Sequence, residues 1–187
     1  MLIFNPRNMT SNNGKGIAEF VGTFFLTLTI FIAAVNGSAG AFAPLAIGLT
    51  LMVMIYALGH VSGAHFNPAV SIGLFLKGDC SQDELPTYLG AQILAGVLAF
   101  FVGSELVLNG ADAAEITAAT FDSTIAVLSA EALWTFALMF VIINVATEQA
   151  GNQFYGAAIG LTVMAGAFTV GSLSLIHISE PTRRTPI

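Results

Sequence analysis

Charged residues are absent from long stretches of the chain. None lies between Glu19 and Lys77, and none lies between Glu84 and Glu105. Runs of this length are typical of membrane-spanning helices, each of which needs about 20 mainly apolar residues. The pattern predicts five spans, at about Gly16–Val35, Ala43–Leu58, Leu85–Leu108, Ser123–Thr147 and Phe154–Gly171.

A further apolar segment, Gly59–Lys77, is interrupted at its centre by Asn67 and Pro68. It is too short to cross a membrane twice and too apolar for an ordinary loop. Asn is a good helix N-cap and Pro suits the first helical position, so a half-helix is expected from Asn67 to about Leu76. If the Asn67 carbonyl caps a backbone N–H, its amide NH2 is left to donate into a cavity.

The backbone just before this half-helix, at Gly63, Ala64 and His65, is expected to be extended. Its carbonyls would then have no helical partners. Such backbone is tolerated at membrane depth where it lines a water-filled path or is buried in protein.

The chain also contains an internal repeat with a spacing of 112 residues. Ala18-Glu19 recurs as Ala130-Glu131, and the run Ala46 to Thr50 recurs as Ala158 to Thr162 without a gap. Chance does not keep a register this long. Three predicted spans separate the copies, so the second copy enters the membrane in the opposite direction. Inverted repeats with a broken helix near the midplane are typical of transport proteins.

Composition narrows the class further. Of the 187 residues, 56% are hydrophobic and 9% are charged, against about 25% charged in soluble domains. A soluble domain is therefore excluded. The net charge of -6 argues against a nucleic-acid partner, and the single cysteine, Cys80, excludes an internal disulfide.

Positive charges predict the orientation. Arg7, Lys15 and Lys77 fall on one side if the spans alternate, which places the N-terminus in the cytoplasm. Short loops favour a bacterial inner membrane. A cleavable signal peptide is an alternative for the N-terminus, but Glu19 interrupts the apolar run that it would require.

Two sequence runs carry a family resemblance: Ser-Gly-Ala-His-Phe-Asn-Pro-Ala-Val at 62–70 and Ala-Glu-Phe-Val-Gly-Thr-Phe at 18–24. Together with the repeat, they resemble the major intrinsic protein family of aquaporins and glycerol facilitators. The resemblance implies an all-α membrane protein, a right-handed bundle of six tilted helices and two half-helices around a pore. It implies passive diffusion of water or small neutral solutes, a homotetramer, and neither enzyme activity nor a cofactor.

The resemblance also assigns roles to residues. The pore is expected to be lined by the Asn-Pro-Ala motif and by the carbonyls that precede it: Asn67, Pro68, Ala69, Gly63, Ala64 and His65. The selectivity constriction falls on Ile47 and Ala167, whose small or aliphatic side chains would leave a wider, less polar opening than a strict water pore. Glycerol, urea and ammonia then become candidate solutes beside water.

Glu19, Glu131 and Gln92 are expected to hold the re-entrant segments in place. A proton relay through the two glutamates is the alternative reading, because isolated acids inside spans are often functional. His60 and His65 also raise the question of a metal site. No carboxylate or cysteine is near them in sequence, which disfavours one.

The chain departs from the family pattern at its end. The repeat predicts a second Asn-Pro-Ala near position 179, and the sequence has none there. Residues 173–187, Leu173 to Ile187, resemble a translated sequencing adapter. We therefore expect a transmembrane domain over 1–172 with an incomplete second half, a non-native tail over 173–187, and no conduction by this chain alone. The alternatives are an inert membrane fragment and a coupled transporter using Glu19, Glu131 and the histidines.

Overall fold

The computed structural model describes residues 11–107, 124–149 and 151–171, and these residues form helices and connecting turns without strands. Six α-helices follow one another: α1 (Asn12–Ile30), α2 (Ala43–Ser62), α3 (Pro68–Lys77), α4 (Glu84–Phe101), α5 (Thr124–Ile142) and α6 (Tyr155–Val170). Three of them continue as π-helix, α1 over Phe31–Val35, α4 over Val102–Val107 and α5 over Ile143–Glu148. The all-helical membrane fold is as predicted.

Four helices, each with its continuation, are long and apolar enough to cross a membrane: Asn12–Val35, Gly40–Ser62, Glu84–Glu105 and Thr124–Glu148. They correspond to the first four predicted spans. The fifth prediction corresponds to α6, a shorter apolar helix of 16 residues within the described part of the chain. At 1.5 Å per residue it is about 24 Å long, less than the ~30 Å hydrocarbon core of a bilayer.

The two halves of the repeat cross where α2 packs against α6. A Cβ on Gly48 would lie 2.5 Å from the Cβ of Met164 and 2.7 Å from the Gly160 carbonyl oxygen. Reciprocally, a Cβ on Gly160 would lie 2.6 Å from the Gly48 carbonyl oxygen and 2.7 Å from the Cβ of Met52. Gly48 and Gly160 are repeat partners, and so are Met52 and Met164. The crossing therefore has pseudo-twofold symmetry, and it needs glycine because the backbones touch.

The half-helix α3 packs one face against the bundle. Val70 and Leu74 on its buried face belong to the main apolar cluster of the described residues, which also includes Leu51, Ile55, Phe66, Cys80, Ile142 and Ile159. The opposite faces of the long helices carry exposed large apolar side chains, among them Leu133 and Phe136 on α5. That distribution suits helices surrounded by lipid.

The approach to α3 differs from the prediction. Gly63 ends α2 with φ +90°, and Ala64 and Phe66 have φ of +56° and +48°, so the segment is not extended. Helix α2 also continues to Ser62, one turn beyond the predicted Leu58. Only four residues connect Ser62 to Asn67, and three of them have left-handed backbone. For Ala64 and Phe66 the conformation costs energy, which the hydrogen bonds described below offset.

Candidate functional site

The site is centred on the N-terminus of α3. Asn67 has extended backbone and its Oδ1 accepts from the Ala69 N–H at 2.8 Å, while Pro68 occupies the first helical position. This is the N-cap that the sequence predicted. With Oδ1 occupied, the amide NH2 of Asn67 remains a donor. The positive end of the α3 dipole lies at the same place.

Two cavities adjoin the segment that leads into α3. The Trp134 cavity, about 190 Å³, is bordered by Asn67, Glu131 and Trp134 among others. The Tyr88 cavity, about 410 Å³, is bordered by Lys15, Gly63 and Tyr88 among others. Their shared lining residues, Ile55, Ala64, His65, Val70, Ile142 and Ile159, separate one cavity from the other.

The predicted pore residues are distributed unevenly over the two cavities. Asn67 borders the Trp134 cavity, Gly63 borders the Tyr88 cavity, and Ala64 and His65 border both. Pro68 and Ala69 are exposed and border neither of the two. The two predicted constriction residues, Ile47 and Ala167, come from helices 120 residues apart in sequence and both border the Trp134 cavity.

Glu19 on α1 is fully buried and accepts four hydrogen bonds. Oε1 accepts from Ser62 Oγ at 2.6 Å and from the His65 N–H at 2.9 Å. Oε2 accepts from the Phe66 N–H at 2.7 Å and from Gln92 Nε2 at 2.8 Å. The carboxylate thus satisfies two backbone donors in the left-handed turn, where no helical partner exists.

A second polar contact joins α3, α4 and the turn. Gln92 Nε2 also donates to Ser71 Oγ at 2.9 Å, and Ser71 Oγ lies 3.1 Å from His65 Nδ1. The His65 ring packs edge-on against Tyr88 with 4.8 Å between centroids, and the Tyr88 hydroxyl donates to the Ser62 carbonyl at 2.6 Å. Buried polar groups that are linked in this way restrict one another's geometry.

Glu131, the repeat partner of Glu19, has a different environment. It is half-buried on α5 and borders the Trp134 cavity with Trp134 and Thr135. Gln92 and Glu19 are brought together by the structure, whereas Glu131 lies in the other half of the molecule.

Three charged residues, Lys15, Asp79 and Glu84, border the Tyr88 cavity. Lys15 pairs with Glu84, and Lys77 pairs with Asp79 at 2.8 Å and with Glu148 at 2.9 Å. His60 borders this cavity as His65 does. Within the described ranges, no group of three or more potential metal-ligating side chains occurs.

Sequence reasoning missed three members of the polar network: Ser62, Ser71 and Tyr88. Ser62 and Ser71 lie close to the Asn-Pro-Ala motif in sequence, and this closeness is the signal that could have identified them. Gly22 was also missed. A Cβ there would lie 2.1 Å from the Phe66 ring, so only glycine lets the turn pack against α1. No local pattern distinguishes Gly22 from other helical glycines.

Comparison with known proteins assigns the family. The model of the family described as "Major intrinsic protein" matches residues 8–179. The chain belongs to the major intrinsic protein family. Putative aquaporin NIP4-1 of Arabidopsis thaliana is 35% identical over 167 residues, which cover 86% of this chain and 59% of that protein. Aquaporin NIP1-3 of Oryza sativa subsp. japonica is 38% identical over 167 residues, covering 86% and 58%.

A solved structure is similar as well. The aquaglyceroporin from Plasmodium falciparum superposes with a TM-score of 0.70 at 25% identity, covering 86% of this chain and 74% of that one. Family membership and the four long apolar helices make this an integral membrane protein. The two curated relatives named above are plant proteins, so the comparisons do not support the expected bacterial inner membrane.

The chain spans about three fifths of the length of these curated relatives. The family match continues to residue 179, seven positions past Ser172. The predicted boundary at Ser172 therefore stays a prediction, and residues 172–187 lie outside the described part of the structure.

Proposed function

We propose that this chain forms part of a passive membrane channel for water and small neutral solutes. The observation that carries the proposal is that Ala64 and His65, which lead into α3, line both cavities, while Asn67 lines the Trp134 cavity. There, the free NH2 of Asn67 and the helix dipole offer donors to an oxygen atom and repel cations. The carbonyls of Gly63, Ala64 and His65 complete the lining in this proposal.

The lining favours neutral solutes larger than water. Ile47 and Ala167 both border the Trp134 cavity, and neither brings a hydrogen-bonding side chain. An aliphatic and a small residue leave width and apolar surface, which suits the carbon backbone of glycerol and also admits urea or ammonia. The similarity to a protein titled aquaglyceroporin supports this reading.

Glu19 acts in this proposal as a scaffold for the re-entrant segment, together with Gln92. Four donors surround its carboxylate, and three of them, the His65 and Phe66 N–H groups and Gln92 Nε2, can only donate. A proton relay needs a group that alternately binds and releases a proton, so this geometry disfavours a coupled transporter. We assign Glu131 the corresponding role in the second half.

The remaining parts of the proposal concern the assembly. The protein would lie in a lipid bilayer with a cytoplasmic N-terminus, and the complete channel would be a homotetramer. The 187-residue sequence contains a single Asn-Pro-Ala. On its own it supplies one of the two half-helices that a complete pore of this family requires, so we expect it not to conduct.

Proteoliposome flux tests these statements. The 187-residue chain is reconstituted beside the longer product of its source gene, where that gene continues past the codon for Ser172. The longer product should raise water and glycerol flux above that of empty liposomes, linearly with the gradient and independently of pH gradients. Flux no higher than empty liposomes contradicts the channel, flux driven by a proton gradient supports a transporter, and flux through the shorter chain contradicts its expected inactivity.

Variants of the conducting product locate the pathway. Asn67→Ser keeps an N-cap oxygen and removes the amide NH2, so flux should fall about tenfold or more. Asn144→Ser is the matched control, because Asn144 borders neither cavity and donates to the Phe140 carbonyl.

Replacing Ile47 by Phe and Ala167 by His should reduce glycerol flux more than water flux. An equal reduction of both fluxes would contradict the assignment of Ile47 and Ala167 to the constriction.

A further inference from the structure

In the buried network around His65, the donor and the acceptor of each hydrogen bond can be assigned in turn. The network begins at Glu19, whose two oxygens already accept the His65 and Phe66 backbone N–H groups. An ionised carboxylate is an acceptor only. Whatever else contacts it must therefore donate.

Gln92 makes the next contact, and its amide orientation follows. The atom 2.8 Å from Glu19 Oε2 has to be Nε2, since Oε1 in that place would set two acceptors against each other. The second hydrogen of the same NH2 points to Ser71 Oγ at 2.9 Å. Gln92 thus uses both of its donors within the network.

Ser71 links Gln92 to the His65 ring. Its side chain is fully buried, and its Oγ has two partners, Gln92 Nε2 and His65 Nδ1. Because Gln92 donates, the one hydroxyl hydrogen of Ser71 is satisfied by His65 Nδ1. An unpaired buried hydroxyl would cost about 1–3 kcal/mol. Nδ1 is therefore an acceptor, and the proton of the neutral ring lies on Nε2.

The other ring nitrogen points away from this network. Nε2 lies 3.4 Å from the place of a Cβ on Gly63, a residue that borders the Tyr88 cavity. No hydrogen bond to Nε2 occurs within the described residues. Among the described residues, the fully buried side-chain polar atoms without a hydrogen-bond partner are Thr23 Oγ1 and Gln92 Oε1. Nε2 of His65 has no partner either but is not one of these atoms, so it is not fully buried.

We infer that Glu19, Gln92 and Ser71 hold His65 as its neutral Nε2–H tautomer, so that Nε2 presents a fixed hydrogen-bond donor at the junction of the two cavities. Gln92 and Ser71 are positioning residues that act through His65. The tautomer follows from these contacts alone. The further statement that Nε2–H donates to a passing water or solute oxygen rests on the proposed channel function.

Nitrogen NMR of the histidine rings tests the tautomer. The 187-residue chain is labelled with ¹⁵N-histidine and placed in lipid nanodiscs at neutral pH, and His60→Gln and His177→Gln variants assign the His65 signals. Couplings from the ring nitrogens to the carbon-bound ring protons tell which nitrogen is protonated. We expect Nε2 protonated and Nδ1 bare. A protonated Nδ1, alone or in a doubly protonated ring, overturns the inference.

Variants test whether the network sets that state. Gln92→Met removes the donor that orients Ser71, and Ser71→Ala removes the donor to Nδ1, so each should introduce a population with Nδ1–H. Thr23→Val is the matched control, because Thr23 is buried on α1 and has no hydrogen-bond partner to lose. An unchanged tautomer in both network variants would overturn the positioning role.

The contact with solute has a separate readout. In the conducting product, Ser71→Ala should change the ratio of glycerol to water flux by severalfold, while Thr23→Val should not. An altered tautomer with an unchanged flux ratio would contradict donation to the solute and leave the tautomer intact. Absence of flux in every form would contradict the channel, and the NMR result would be unaffected.

Discussion

The two halves of the repeat place the same residue in different surroundings. Glu19 and Glu131 both follow an alanine at the same position of the repeat. Glu19 is fully buried and holds the turn before α3 through four hydrogen bonds. Glu131 is half-buried at the edge of the Trp134 cavity. Equal positions in the repeat therefore do not give equal burial.

A second pair shows where the halves diverge. Gly22 leaves room for the Phe66 ring, whereas its repeat partner is Trp134, whose ring packs over Gly166. A Cβ on Gly166 would lie 3.0 Å from the Trp134 ring, so that side too requires a small residue. In each half an aromatic ring meets a glycine, but the ring belongs to the turn in the first half and to the long helix in the second.

The largest effect should come from removing the charge of Glu19. Glu19→Gln replaces one acceptor oxygen by an NH2 group, which leaves two buried donors unpaired and costs about 2–6 kcal/mol, taking 1–3 kcal/mol for each. Glu131→Gln should cost well under half as much because Glu131 is partly exposed. Unfolding of both variants in mixed micelles, followed by circular dichroism, measures the difference. Equal losses would contradict the contrast between the halves.

Gly22→Ala should have the next largest effect. Its Cβ would clash with the buried Phe66 ring at 2.1 Å, and overpacking of this kind costs about 1–3 kcal/mol. Gly90→Ala is the matched control on α4, since nothing lies within 4 Å of a Cβ there. That control should stabilise the helix by about 0.4–1 kcal/mol. If both variants unfold at the same temperature, Phe66 does not occupy the place described.

Cys80 reports the packing around α3. It is buried in the apolar cluster behind α3, and burial, followed by the charges of Glu84 and Glu19, raises the pKa of its thiol to about 11. Because the thiolate is the reactive form, alkylation at pH 8 should be ~100-fold slower than in the unfolded chain and should accelerate towards pH 11.

The same pKa shift gives the sign of a stability effect. The unfolded chain loses this proton first, near its ordinary pKa of 9.0, so the thiol destabilises the fold increasingly as pH rises from 9 to about 11. Alkylation rates measured against pH in folded and denatured chain check the first statement. A folded chain that reacts as fast as the denatured one would mean that α3 does not cover Cys80.

The smallest effect is expected where Lys77 joins the halves. Its ion pairs with Asp79 and Glu148 are exposed, and such pairs add little to stability. These partners raise the pKa of Lys77, so their contribution is present below its ordinary pKa of 10.5 and is lost above it. Lys77→Gln should leave the melting temperature nearly unchanged at pH 7. A fall in melting temperature as large as that of Gly22→Ala would mean that the ion pairs of Lys77 stabilise the fold substantially.

Much of the architecture could be predicted because it depends on residues that are close together in sequence. Uninterrupted apolar runs indicated the spans, and Asn67-Pro68 indicated where α3 begins. The left-handed turn at Gly63, Ala64 and Phe66 could not be predicted, because Ala and Phe have no local preference for that conformation. It exists because Glu19, 45 or more positions away from Ala64 and Phe66, accepts the backbone donors that the turn exposes.

The amino-acid sequence by itself determined the membrane class, the inverted repeat, the helix-start signal at Asn67 and the family. Each of these depends on residue type and spacing along one segment, or on the comparison of two segments. The tertiary structure alone decided that Ser71, Gln92 and His65 form one directional network, that Ile47 and Ala167 share a cavity, and that Glu19 and Glu131 differ. Those facts depend on which helices pack together, because hydrogen bonds and burial act over a few ångströms in space, whatever the separation in sequence.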